Sequence, residues 1–110
     1  MNADDLQLLE AVGVEVGVSV GKVLIERGQP GAGLYVILEG TVVVDAAEGT
    51  RELGPGAVIG ERALLSADGR RTARVRATSD VRLLAVDRVE FERLSAEDAG
   101  LARRLIAAGA

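Results

Sequence analysis

Residues 12–20, VGVEVGVSV, put valine at 12, 14, 16, 18 and 20 with Gly, Glu or Ser between them. A period of two sends successive side chains to opposite faces, so this segment reads as a strand with one all-valine face. Further short runs follow it: VLIE (23–26), LYVILEG (34–40), TVVVD (41–45), REL (51–53), AVI (57–59), TARVRAT (72–78) and VRLLAV (81–86). Turn signals separate them, among them GQPGAG (28–33), AAEGT (46–50) and GPG (54–56). Short strands joined by glycine-rich turns expose sheet edges, which closing or stacking the sheets hides. The expected fold is therefore mainly β, an eight-stranded jelly roll (a double-stranded β-helix barrel) over about residues 12–86.

The last quarter changes period. Asp87 opens a D-x-x-E capping pattern with Glu90, and Val89, Phe91 and Leu94 give a short helix its apolar side. Ser95 opens a second such box with Asp98, after which Leu101, Leu105 and Ile106, with Ala102 and Ala108, form an apolar stripe. Helices are thus expected over about 87–108, with a further short one at residues 3–11. At 110 residues the chain fits one domain, 1–110, burying roughly 60–70% of its unfolded surface.

Composition removes whole classes of chemistry. With no His and no Cys, the chain has no imidazole or thiolate metal ligand, no disulfide and no Ser-His or Cys-His nucleophile system. A metal-dependent isomerase or dioxygenase on a similar β scaffold is disfavoured for the same reason, and the expectation is a non-enzyme without a cofactor. Thirteen basic residues against 17 acidic ones, net -4, argue against general nucleic-acid or membrane-surface binding by this chain alone. The acidic start MNADDLQLLE carries no readable signal peptide, and no run of apolar residues is long enough to span a bilayer, so a cytoplasmic location is expected.

One twenty-residue stretch, VIGERALLSADGRRTARVRA (58–77), combines features that suit an anion. In RTARVRAT the small or apolar residues Ala73, Val75 and Ala77 share one face, and extending that phase back puts Arg71 on it too. An inward guanidinium without a partner costs several kcal/mol, so Arg71 requires a carboxylate, a cluster of carbonyls or a bound anion. The alternative is that Arg71 precedes the strand and snorkels to water. GERALL (60–65) reads as a single helical turn, whose first backbone N–H groups are unsatisfied and attract negative charge, with Gly60 permitting close approach.

These residues in this order resemble the cyclic-nucleotide-binding domain family, whose phosphate-binding cassette runs Phe-Gly-Glu-Leu-Ala-Leu, a short loop, then Arg-(Ala/Ser/Thr)-Ala-x-Val. Here the run is Ile59, Gly60, Glu61, Arg62, Ala63, Leu64, Leu65, a loop, then Arg71, Thr72, Ala73, Arg74 and Val75. GKVLIERGQPGAGLYVILEGTVVV is similar to the family's first half and ATSDVRLLAVDRVEFERL to its last strand and following helix, so the likeness spans about residues 21–94.

The resemblance implies that Glu61 accepts from the ribose 2'-hydroxyl and that Arg71 pairs with the exocyclic oxygens of the cyclic phosphate. It also implies that backbone N–H groups around Gly60, Arg62, Ala63 and Thr72 complete the cradle. Those roles match the chemistry of an acceptor-only carboxylate and a forked guanidinium. Ile59 replaces the family's Phe, Arg62 stands where an apolar residue is common, and the loop is one residue longer, which makes Arg70 a rival to Arg71. Thr72 is similar to the threonine of cGMP-preferring kinase domains, but serine and threonine also serve cAMP binders; cAMP is the expected ligand, cGMP the alternative.

The family covers the purine with a residue of the final helix. Leu101 and Leu105, with Ile106, are candidates for an apolar lid, and Arg103 or Arg104 for stacking on the base. Ordinary amphipathicity offers the other reading, with the leucine stripe packed on the barrel or on a second copy. Tyr35 and Phe91, the single Tyr and Phe, read as core.

The function expected from the resemblance is a regulatory module that binds a cyclic nucleotide and moves its C-terminal helices. The alternative is a domain of the same fold without its ligand, serving as an interaction or homodimerisation scaffold. An output domain or partner protein would lie outside these residues, making the chain a standalone sensor or an excised piece.

Overall fold

Two strand patterns are present in the sequence, and they fold into two kinds of sheet. The computed structural model describes residues 1–29, 31, 33–60 and 70–108. Its elements run α1 (Ala3–Val12), β1 (Val14–Val18), β2 (Val23–Ile25), β3 (Gly33–Glu39), β4 (Val42–Ala46), β5 (Gly49–Leu53), β6 (Val58–Ile59), β7 (Ala73–Ala77), β8 (Val81–Asp87), α2 (Arg88–Glu97) and α3 (Leu101–Ala108). Pairing is antiparallel throughout, in one four-stranded sheet ordered β1-β8-β3-β6 and a second ordered β2-β7-β4-β5. This is the jelly roll expected from the sequence, with helices at both ends of the chain.

The near-continuous apolar runs LYVIL and VRLLAV belong to β3 and β8, the centre of the first sheet, which is buried on both faces. Leu34 and Val36, with Leu84, Val86 and Val58, turn to one side and pack under Leu9 of α1, Phe91 and Leu94 of α2, and Leu101 and Leu105 of α3. Ile37, Val81, Leu83 and Ile59 turn to the other side and meet Ile25, Val42, Val44, Val75 and Ala77 of the second sheet. The alternating ARVRA of β7 fits that second sheet, with Val75 and Ala77 buried and Arg74 and Arg76 exposed.

At the C-terminal end one expectation needs correcting. Asp87 caps α2 as its sequence pattern predicts, its side chain accepting from the Glu90 N–H at 2.8 Å. Ser95, however, starts no second helix: it lies within α2, which runs on to Glu97, and Asp98 caps the end of that helix rather than occupying the first turn of the next. The break falls at Asp98–Gly100, where the Asp98 carboxylate accepts from the Gly100 N–H at 3.1 Å and α3 begins at Leu101. Burial of Leu94 against the first sheet fixes this end of α2, so packing overrides the local capping signal. Among the described residues, no helix is long and apolar enough to cross a membrane.

The helical layer is fastened by one charged cluster. Asp5 in the first turn of α1 is buried and forms a reciprocal capping box with Asn2. Arg104 of α3 donates from Nε to both carboxylate oxygens of Asp5, at 3.0 and 2.9 Å, and from Nη2 to Asp5 and Asp98. The Arg104 guanidinium holds the carboxyls of Asp5 and Asp98 below the usual carboxylate range, against the opposing effect of desolvation.

A carboxyl with a depressed folded-state pKa lends its stability fully above its unfolded pKa and loses it as the pH falls towards the folded value. Thermal melts of the chain are therefore expected to hold level from neutrality down to about pH 4 and to drop below it. Arg104→Met, which leaves buried Asp5 unpaired, lowers the neutral-pH midpoint by roughly 5–15 °C and flattens the acid limb. An unchanged midpoint and an unchanged acid limb in that variant would show that the cluster does not fasten the helices.

Candidate ligand-binding site

A cavity of about 270 Å³ opens on the inner face of the second sheet where β7 begins. Its apolar lining is Ile25, Val44, Ile59 and Val75, and its polar lining comprises Glu48, Thr50, Arg51, Arg71 and Thr72. That volume lies just below the range of about 300–1,000 Å³ usual for small-molecule pockets.

Arg71 is the buried charge of this site, only 8% exposed. Its backbone is locked to the turn after β2, since Gly28 N–H donates to the Arg71 carbonyl at 2.9 Å and Arg71 N–H donates to the Gln29 carbonyl at 2.8 Å. Its side chain crosses to the first sheet, where Nη1 donates to the carbonyls of Gly33 at 2.8 Å and Gly60 at 2.9 Å. Of the partners an inward guanidinium requires, the described residues thus provide the carbonyl cluster. Arg70 is exposed, donates to the Gly28 carbonyl at 2.8 Å and does not line the cavity.

Gly60 makes this arrangement possible. Its φ of +86° lies in the left-handed region, and a Cβ there would overlap Arg71 Nη1. Gly33 is equally tight, because a Cβ there would run into the Val86 carbonyl on the neighbouring strand. Both glycines present a carbonyl to Arg71, so β3 and β6 approach the guanidinium with bare backbone.

The structure brings Gly60, Arg71 and Thr72 to one cavity. Glu61, Arg62 and Ala63, with the helical turn expected from Gly60 onward, lie outside the described residues. Leu101, Arg104 and Leu105 do not reach the cavity. The two leucines are fully buried in the helical core on the far side of the first sheet, and Arg104 is engaged by Asp5 and Asp98. Phe91 is buried in the same core, and Tyr35 packs at the edge of the other one.

Sequence reasoning missed the far wall of the cavity. Arg51 of β5 is paired with Val44 of β4, which is paired with Val75 of β7, so the three stand in one row across the sheet. Directly opposed residues share a face, which puts Arg51 on the same inward side as Val44 and Val75. The signal was present in the turn AAEGT: a tight hairpin there sets the register that aligns Arg51 with Val44.

With this geometry in view, the family follows. Residues 15–98 match the family model of the cyclic nucleotide-binding domain, and the chain belongs to that family. It is 36% identical over 88 residues to a cyclic nucleotide-gated potassium channel of Rhizobium etli, a match covering 80% of this chain and 24% of the relative. It is also 36% identical over 93 residues to a cGMP-dependent protein kinase of Caenorhabditis elegans, covering 81% of this chain and 12% of the kinase. The chain therefore spans a quarter or less of these relatives' length.

Among solved structures, one from a study of a cyclic-GMP-dependent signalling pathway that regulates bacterial phytopathogenesis superposes with a TM-score of 0.84 and 29% identity, over 97% of this chain and 89% of that one. The catabolite activator protein of Thermus thermophilus superposes with a TM-score of 0.78 and 28% identity, over 98% of this chain and 53% of that one.

Gly60 and Gly56 together separate backbone strain from the contact with Arg71, since both have φ near +90° but a Cβ on Gly56 meets nothing within 4 Å. In urea titrations Gly56→Ala is expected to cost about 1 kcal/mol and Gly60→Ala up to about 3 kcal/mol. Equal costs would mean that the guanidinium does not depend on the bare backbone at Gly60.

Proposed function

We propose that the chain is a regulatory module that binds a cyclic nucleotide, with the cyclic phosphate held at Arg71. The observation that carries this reading is the buried guanidinium on the wall of a cavity in a protein of this family. Nη1 is anchored on two carbonyls, which fixes the plane of the fork, and a guanidinium so oriented matches two phosphate oxygens. Glu61 is proposed as acceptor for the ribose hydroxyl, with backbone N–H groups of Gly60, Arg62, Ala63 and Thr72 around the phosphate. The chemistry asked of these groups is binding alone, and the chain is read as a non-enzyme.

For the base, guanine fits better than the adenine expected from the sequence. Guanine offers O6 and N7 as adjacent acceptors to a guanidinium, whereas adenine presents a donor beside N7. Arg51 on the inward face of β5 supports the first pattern, and Thr72 at the other side of the cavity agrees with it. The cGMP-dependent kinase among the relatives and the cyclic-GMP pathway of the similar structure point the same way.

Communication with the helices has a short route. The turn that holds the Arg71 backbone also accepts a hydrogen bond at the Gly31 carbonyl from Arg88 Nη2, at 3.2 Å, and Arg88 is the first residue of α2. A shift of Arg71 towards a phosphate moves this turn and so biases α2 and α3, which is the regulatory step of the proposal.

Calorimetric titrations with cGMP, cAMP and 5'-GMP test the reading. Both cyclic nucleotides are expected to bind, cGMP more tightly, with 5'-GMP much weaker. Arg71→Ala weakens both cyclic ligands by about tenfold or more, and Arg51→Ala reduces the difference between them. If neither cyclic nucleotide binds, the module is a ligand-free scaffold of this fold; if Arg51→Ala leaves the preference intact, the base is read elsewhere.

A further inference from the structure

The strand that opens the sequence's period-two pattern is left half-covered by the fold. Among the described residues β1 is an edge of the first sheet, pairing with β8 on one side only. It has no proline, no lysine and no bulge in its register with β8, and Glu15 is its one charged residue. Its valines point to the inter-sheet side, because Val16 and Val18 oppose Leu83 and Val81, which belong to that core.

The second sheet does not reach far enough to cover them. Val14 is 66% exposed and Val16 39%, while Val18 is half-buried; Val20, just beyond the strand, and Val23 on β2 are 59% and 40% exposed. A cavity of about 430 Å³ opens between β1 and β2, reaching in to Tyr35 and Leu83.

We propose that this edge pairs with the same edge of a second copy of the chain, β1 running antiparallel to the partner's β1 about a two-fold axis at Val16. The register is self-complementary. Val14 lies opposite the partner's Val18 and Val16 opposite the partner's Val16, so the valine faces merge. Glu15 lies opposite the partner's Gly17, so the two glutamates stand diagonally rather than directly opposed.

Charge completes the match on the other face. Arg82 is the β8 neighbour of Gly17, and a Cβ built on Gly17 meets nothing within 4 Å, so the surface above that glycine is clear. The partner's Glu15 reaches across it to Arg82, which within its own chain holds Glu15 at 3.7 Å and Glu39 at 3.1 Å. The apolar stripe of α3 is not available for the same purpose, since Leu101 and Leu105 are already buried in the chain's own core. Five residues of paired strand make an interface smaller than the roughly 1,200–2,000 Å² of a stable complex, so the dimer is a concentration-dependent one.

Sedimentation velocity on the full chain, from micromolar concentrations up to about 1 mM, is expected to show a monomer passing into a dimer. Val16→Lys weakens the dimer by about tenfold or more. Glu15→Arg weakens it as well, and the double variant Glu15→Arg with Arg82→Glu restores it. Circular dichroism melts report whether each variant is folded; should Val16→Lys fail to fold, the charge exchange decides. A chain that stays monomeric throughout, as it would if another segment or protein covers this edge, overturns the proposal. So does a dimer that neither Val16→Lys nor Glu15→Arg disturbs.

Discussion

The site depends on one guanidinium being held by backbone carbonyls. Arg71 stands just before a strand of the second sheet, and its Nη1 reaches two carbonyls of the first, on Gly33 and Gly60. Those acceptors compensate lost hydration of the buried charge, and a Cβ at Gly60 would overlap Nη1, so the approach there needs glycine. The interaction thereby ties the two sheets together beside the cavity and gives the charge a fixed direction. A polar group so restrained is well suited to ligand recognition, since little rotamer freedom is left to lose on binding.

The two faces of the first sheet divide the labour. One packs on the second sheet and, with it, forms the floor of the cavity. The other carries the three helices, closed by the Asp5–Arg104–Asp98 cluster. The layers meet chemically at Gly28, Gln29 and Gly31, the first two bonding the Arg71 backbone and the third accepting from Arg88 of α2. The proposed phosphate ligand Arg71 and the first residue of α2 are thus held by neighbouring residues of one connection.

Much of this was legible in the sequence because it depends on local periodicity. The alternation of TARVRAT puts Arg71 in phase with Ala73 and Val75, and the glycine-rich turns delimit eight strands that all form. What stayed illegible depends on packing partners. The valines of β1 announce an apolar face, but only the lateral extent of the second sheet decides that the face is left open. The leucine stripe of α3 is equally clear as a pattern, yet whether it covers a base or the barrel follows from α1 and α2 beside it. Ser95 shows the same limit, a sound capping residue absorbed into a helix by the burial of its neighbour Leu94. Arg51 was hidden because its alignment with the cavity passes through two strand registers rather than one stretch of chain.

The most direct measurement of the central claim is a crystal structure of the chain grown with cGMP. The account predicts the cyclic phosphate within hydrogen-bonding distance of the Arg71 guanidinium and the purine extending over Val44 towards Arg51. Nucleotide density elsewhere on the molecule, with Arg71 bound to the Gly33 and Gly60 carbonyls and touching no ligand, would contradict it.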